Sequence, residues 1–181
     1  MKITKAKIPE VLIFEPTIHQ DNRGYFMETF RRSFFDQFSL DLSFVQDNQS
    51  LSKKGTLRGL HYQLKYPQGK LVRVLKGEIF DVAVDLRKSS LSFGQWVGEI
   101  LSEENRKQLW IPPGFAHGFL VLSETAEMSY KCTDYYHPDD DYSLLWSDPD
   151  IAIQWPHVDE DILVSKKDCA GALLTEASVF E

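Results

Sequence analysis

The chain alternates between short apolar runs and clusters of turn-forming residues, and little of it repeats apolar positions at helical spacing over three turns. "VLIFEP" ends at Pro16, "HQDNRG" (19–24) gathers Asp, Asn and Gly, and "YFMETF" resumes the apolar alternation, as in a hairpin. Further runs read as strands: "FVQDNQS", "TLRGLHYQL", "KLVRVLKG", "EIFDVAVDLR", "FGQWVGEIL", "KQLWIPPG", "AHGFLVLS" and "AEMSYKCTDYY". Their spacing predicts a sandwich or barrel. "RRSFFDQF" (31–38) predicts a short helix, and "KDCAGALLTEA" another in a C-terminal segment that should form a small lid. No linker, repeat or low-complexity stretch divides the chain, so residues 1–181 are expected to form one mostly β domain.

Composition narrows the function. A hydrophobic share of 43% suits a globular core. With 20 Lys+Arg against 27 Asp+Glu the net charge is −7, which argues against general attraction to nucleic acid or an anionic membrane. Any anionic ligand must therefore meet a local basic cluster. The N-terminal apolar run is too short for a secretory segment, and no stretch approaches the roughly 20 apolar residues that cross a bilayer. Cys132 and Cys169 suggest neither a metal pair nor a disulfide framework. A cytoplasmic location is expected.

Of the five histidines, His137 and His157 sit beside prolines in turn-like contexts. His61 in "RGLHYQ" and His117 in "IPPGFAHGFLV" lie beside glycine in apolar strands, where a ring needs a polar partner or is simply packed. The second stretch has the P-x-G-x-x-H arrangement of cupin metal sites, and "HYQ" stands where the first half would supply H-x-H. The chain thus resembles a cupin-type jelly roll. Gln63 replaces the second histidine, and an amide oxygen is a poor substitute for imidazole at a transition metal. No metal or other cofactor is expected, and His61 is left as an acid–base or a packing residue.

"DNRGYFMETF", "FVQDNQS", "LRGLHYQ", "QGKLVRVLKGEIFDVAVDLR", "PPGFAHGF" and "YKCTDYYHPDDDYSLLWSDPDIAIQW" occur together in one order. In that order and approximate spacing the chain resembles the dTDP-4-dehydrorhamnose 3,5-epimerases, metal-free cupins, over nearly its whole length. The resemblance implies a dTDP-4-keto-6-deoxyhexose substrate whose C3 and C5 hydrogens flank the C4 ketone. Removing either hydrogen gives an enolate. That reaction needs a base, a group to stabilise the enolate oxygen, and an acid on the opposite face.

The resemblance makes His61 the base, Asp168 its partner, Lys70 the cation at the C4 oxygen and Tyr130 the acid. It assigns Arg23 and Arg58 to the diphosphate, Arg23 reaching a neighbouring subunit's site, and implies a homodimer. Glu28, Gln46, Asp47, Asn48, His117, Asp141 and Lys167 match further substrate contacts. The pattern departs at Asp141, where relatives have Glu, and at Cys169, where they commonly have Arg. Read singly, Lys70 is a turn lysine, Asp168 a helix-start residue and Tyr130 a core aromatic. Lys70 follows the turn "PQG", so a hairpin is expected to bring it beside His61. Strict strand alternation puts Arg58 and His61 on opposite faces unless Gly59 introduces a bulge. A metal-dependent cupin and a non-catalytic nucleotide-sugar binder are the competing readings. The motifs do not separate epimerisation at two carbons from epimerisation at one.

Overall fold

The structure is a computed structural model describing residues 1–38 and 40–181. Strands β1 (Lys2–Lys5) and β2 (Leu12–Glu15) lead into a hairpin of β3 (Ile18–Asp21) and β4 (Gly24–Met27). The one-turn helix α1 (Ser33–Asp36) and β5 (Gln46–Lys53) follow. Next come β6 (Thr56–Tyr62), β7 (Lys70–Lys76), β8 (Glu78–Asp85) and β9 (Trp96–Ser102). Then come β10 (Gln108–Ile111), β11 (Phe115–Val121) and β12 (Thr125–Cys132). The C-terminal segment adds the two-residue strands β13 (Tyr142–Ser143) and β14 (Leu163–Val164) and helix α2 (Lys166–Cys169). Each apolar run noted in the sequence thus contributes to a strand.

Two sheets form the sandwich. One has the order β1-β2-β10-β7-β12-β5; the other runs β13-β6-β11-β8-β9, with β14 also on β6. Alternation turns one set of side chains inward. Val72, Val74, Leu109, Ile111 and Met128 of the first sheet meet Ile79, Val97, Leu101, Phe119 and Val121 of the second in the central core. The outer faces are covered as well. Leu12, Phe14, Leu71 and Trp110 pack under the segment carrying Phe30, Phe34, Phe35 and Phe44. Phe35 meets the Trp110 ring edge-on at 5.3 Å, a geometry worth about 1 kcal/mol beyond the area it buries.

On the second sheet, Leu60, Tyr62, Val82, Val84 and Ala116 are covered by Leu144, Ile151, Trp155 and Phe180. The C-terminal segment therefore packs on the outside of a sheet and is not a lid over its end. Its helix is also shorter than expected, the four residues Lys166–Cys169, which overlap only the start of "KDCAGALLTEA". The chain leaves the helix at Gly171, where an added Cβ would lie 2.8 Å from the backbone of Leu144. Backbone bonds from Leu145 to Ala172 and from Ala172 to Ser143 then replace helical ones. Tertiary pairing here outweighs a helical preference spread over one short stretch.

Two local features place the site. β11 pairs His117 with His61 but Phe119 with Arg58, so two steps on β11 match three on β6. The extra residue is a β-bulge at Gly59–Leu60, and it returns Arg58 and His61 to the same face. Glycine is required at its centre: Gly59 has φ +114°, and a Cβ there would lie 2.6 Å from the Gly118 Cα. The second feature corrects the hairpin expected for Lys70. β6 and β7 lie in different sheets, so the Lys70 and His61 strands face each other across the sandwich.

Candidate active site

The sheets' inner faces carry polar residues near one end of the sandwich. From β6 comes His61, from β7 Lys70 and from β12 Tyr130. With Gln63, Gln68, Tyr136 and Asp141 they line a cavity of about 100 Å³. An adjoining concavity of about 550 Å³ shares His61 and adds Arg58, Ser165, Lys167 and Asp168. A third, of about 580 Å³, lies between Lys7, β9 and residues 150–154, and it contains neither histidine nor tyrosine.

Asp168 reaches His61 because Ser165 caps α2, accepting from the Asp168 N–H, while β14 pairs parallel with β6. His61 Nε2 lies 2.6 Å from Asp168 Oδ1, and Oδ2 accepts from the Gly59 N–H at 3.4 Å. Burial pushes the Asp168 carboxyl up, but hydrogen bonds from His61, Gly59 and Ser165 outweigh it and leave the group below its ordinary value. An ionised Asp168 takes the Nε2 proton as a hydrogen bond, which leaves the Nδ1 lone pair to accept another. The His61 side chain is 34% exposed and Asp168 only 4%, so the ring opens to the cavity while its partner stays dry.

Opposite stand the other two groups. Burial pushes the Lys70 ammonium down, and the neighbouring Cys132 thiol and the Asp141 and Asp81 carboxylates act against that. Burial pushes the Tyr130 phenol up, aided by Cys132 and Asp141 and opposed by Arg58. The phenol thus keeps its proton at neutral pH. Asp141 accepts from Tyr136 Oη at 2.8 Å and from Lys167 Nζ, joining the two concavities.

Several expected contacts lie elsewhere. Arg58 lines the larger concavity, its Nε donating to Ser52 at 3.1 Å. Alternation splits the "QDN" triplet. Gln46 and Asn48 are bonded to each other on one face of β5, while Asp47 pairs with Lys131 at 2.9 Å on the other. His117 is 7% exposed and faces Asp81 Oδ1 at 2.8 Å, outside the lining of either concavity. Arg23 and Glu28 are not brought to this chain's cavity. Arg23 is clamped by Asp21 on the β3–β4 hairpin, 85% exposed, and Glu28 pairs with Arg31.

Two lining residues escaped assignment from the sequence. Tyr136, the second tyrosine of "TDYY", is pointed to the site only by its Asp141 contact, which the fold sets. Gln63, read only as a failed metal ligand, is buried and holds the cavity rim. Its amide donates to the carbonyls of Tyr66 and Tyr135 and accepts from the His137 N–H. Among the described residues no group of three or more His, Cys, Asp or Glu is placed to hold a metal ion.

A histidine, a phenol and an ammonium around one small cavity suit proton removal and return, and a cupin-type jelly roll built this way defines a proton-transferring isomerase. A family model narrows the class. That of dTDP-4-dehydrorhamnose 3,5-epimerase matches residues 5–176, and the chain belongs to this family. It is 52% identical over 181 residues to the dTDP-4-dehydrorhamnose 3,5-epimerase of Pseudomonas aeruginosa, covering 99% of each chain. The epimerase of Legionella pneumophila, solved with dTDP-4-keto-L-rhamnose, superposes with a TM-score of 0.93 at 54% identity, over 96% of this chain and 93% of the other. A 3′-monoepimerase of Streptomyces bikiniensis, solved with dTDP-quinovose, gives 0.89 at 33% identity, over 96% and 88%.

Proposed function

We infer that the protein epimerises dTDP-4-dehydro-6-deoxy-D-glucose at C3 and C5 to dTDP-4-dehydro-L-rhamnose. The observation that carries this is the meeting of His61–Asp168, Lys70 and Tyr130 at one cavity between the sheets. His61 Nδ1 removes the proton α to the C4 ketone, and the electron pair moves onto the ketone oxygen. Asp168 holds the ring tautomer and stabilises the imidazolium that results. Lys70 faces the developing enolate charge, where a low-dielectric setting strengthens the attraction. Tyr130 returns a proton from the opposite face, leaving the carbon inverted. Arg58 and Lys167 suit the diphosphate, since an arginine fork matches phosphate oxygens.

The working unit is a cytoplasmic homodimer. Arg23 supports this reading: it is exposed on a projecting hairpin whose Tyr25 and Phe26 are 55% and 71% exposed. Such a hairpin suits insertion beside a second copy's cavity, where Arg23 would join its diphosphate contacts.

Incubation with dTDP-4-keto-6-deoxyglucose and a stereospecific 4-ketoreductase tests the assignment. The trapped sugar should have the L-rhamno configuration. Inversion at C3 alone would give the activity named for the Streptomyces bikiniensis relative, and unchanged stereochemistry would defeat the epimerase reading.

A further inference from the structure

Behind the cavity lies a second histidine–carboxylate pair that the proton-transfer scheme does not use. Asp81 is fully buried on β8, and its Oδ1 faces His117 Nε2 at 2.8 Å. Its Oδ2 is buried with no hydrogen-bond partner among the described residues. A lone pair left dry and unpaired is costly, and more so when the group is charged. The position is therefore expensive unless a cation faces it.

The register shows which cation shares that interior. Asp81 pairs with Phe119 and Phe119 with Arg58, so all three share the face of the second sheet that looks into the sandwich. The facing sheet presents Lys70, and Asp81 is among the charges that act on its ammonium. Neither Asp81 nor His117 lines the cavity that holds Lys70. We propose that Asp81 is a positioning residue whose free Oδ2 supplies the interior counter-charge that holds the Lys70 ammonium toward the substrate ketone, with His117 fixing the carboxylate from behind. The proposal rests on the epimerase reading and adds to it a residue that touches no substrate.

The other groups around Lys70 do not duplicate this role. Burial keeps the Cys132 thiol and the Tyr130 phenol on β12 protonated at neutral pH, Lys167 repels, and His61 is already paired with Asp168. Asp141 accepts from Tyr136 and Lys167. Removing the Asp81 charge should therefore let Lys70 lose its proton more readily.

The test is a double-mutant cycle with pH–rate profiles. Asp81→Asn keeps the shape and an acceptor for His117. We expect kcat to fall on the order of 10²-fold with KM little changed. The alkaline limb of kcat should move to lower pH. In a Lys70→Met background, Asp81→Asn should add almost nothing, because both changes remove one interaction. A merely structural Asp81 would instead give additive losses and an unmoved limb, and that result overturns the proposal. Full activity in Lys70→Met would count against the epimerase mechanism itself, a separate failure. If Asp81→Asn does not fold, Asp81→Glu decides: it retains the charge and must retain the wild-type alkaline limb.

Discussion

His61 and Tyr130 do opposite jobs in the proposed mechanism, and isotope exchange separates them. In deuterated water the wild-type protein should place deuterium at C3 and C5, and His61→Asn should exchange neither. Tyr130→Phe should lose most inversion while His61 still exchanges protons reversibly on its own face. NMR of recovered sugar reads both; undiminished exchange in folded His61→Asn would refute the base assignment. Asp168→Asn removes the anion that fixes the ring, and kcat should fall on the order of 10³-fold with little change in KM. At this scale the sequence was readable where chemistry depends on residue type. His61 stood out as a ring in an apolar strand, whereas Asp168, 107 positions away, was joined to it only through resemblance. Nothing in the local pattern of "SKKDC" shows that β14 will lie beside β6.

At the scale of elements, period-two alternation located the strands because each sheet has one face sealed in the core. It failed at Arg58 and His61, where the bulge resets the face, and the signal that remained was a glycine inside an apolar run. The partner of that bulge is Gly118, where an added Cβ would lie 2.7 Å from the Arg58 carbonyl oxygen. Gly118→Ala should therefore force β6 and β11 apart, costing about 1–3 kcal/mol by thermal or urea unfolding. Activity should fall further than that loss of stability explains, since the same shift moves His61. The helix expected over residues 167–177 shows the converse error, because pairing with residues 143–145 ends it early. Asp85, at the end of β8, organises the next turn by accepting from the Arg87 backbone and side chain and from Ser92. Burial opposes ionisation there, but these donors hold the carboxyl down from 3.8 to about 2. A carboxyl depressed on folding stabilises fully above its unfolded value and loses that contribution as pH falls through the folded one. Asp85→Asn should thus cost about 2 kcal/mol at pH 7 and flatten the stability curve between pH 4 and 2.

For the whole molecule, sequence patterning predicted a β-sandwich or barrel but could not show which sheet each strand joins. Lys70 was expected beside His61 on a hairpin and instead reaches it across the sandwich, because β6 and β7 enter different sheets. Arg23 raises the same question between chains. Its clamp to Asp21 holds it on the β3–β4 hairpin rather than at this chain's own cavity. If two copies exchange hairpins, each site combines His61 of one chain with Arg23 of the other, which a closed two-fold contact requires. Arg23→Ala and His61→Asn should then each be weakly active alone. Mixed after gentle dissociation, they should regain roughly a quarter of wild-type activity, since half the dimers are mixed and each of those has one intact site of two. Should the mixture stay at the mean of the separate variants while hybrids are seen by native mass spectrometry, Arg23 serves its own chain. In that case the exchanged-hairpin dimer is wrong.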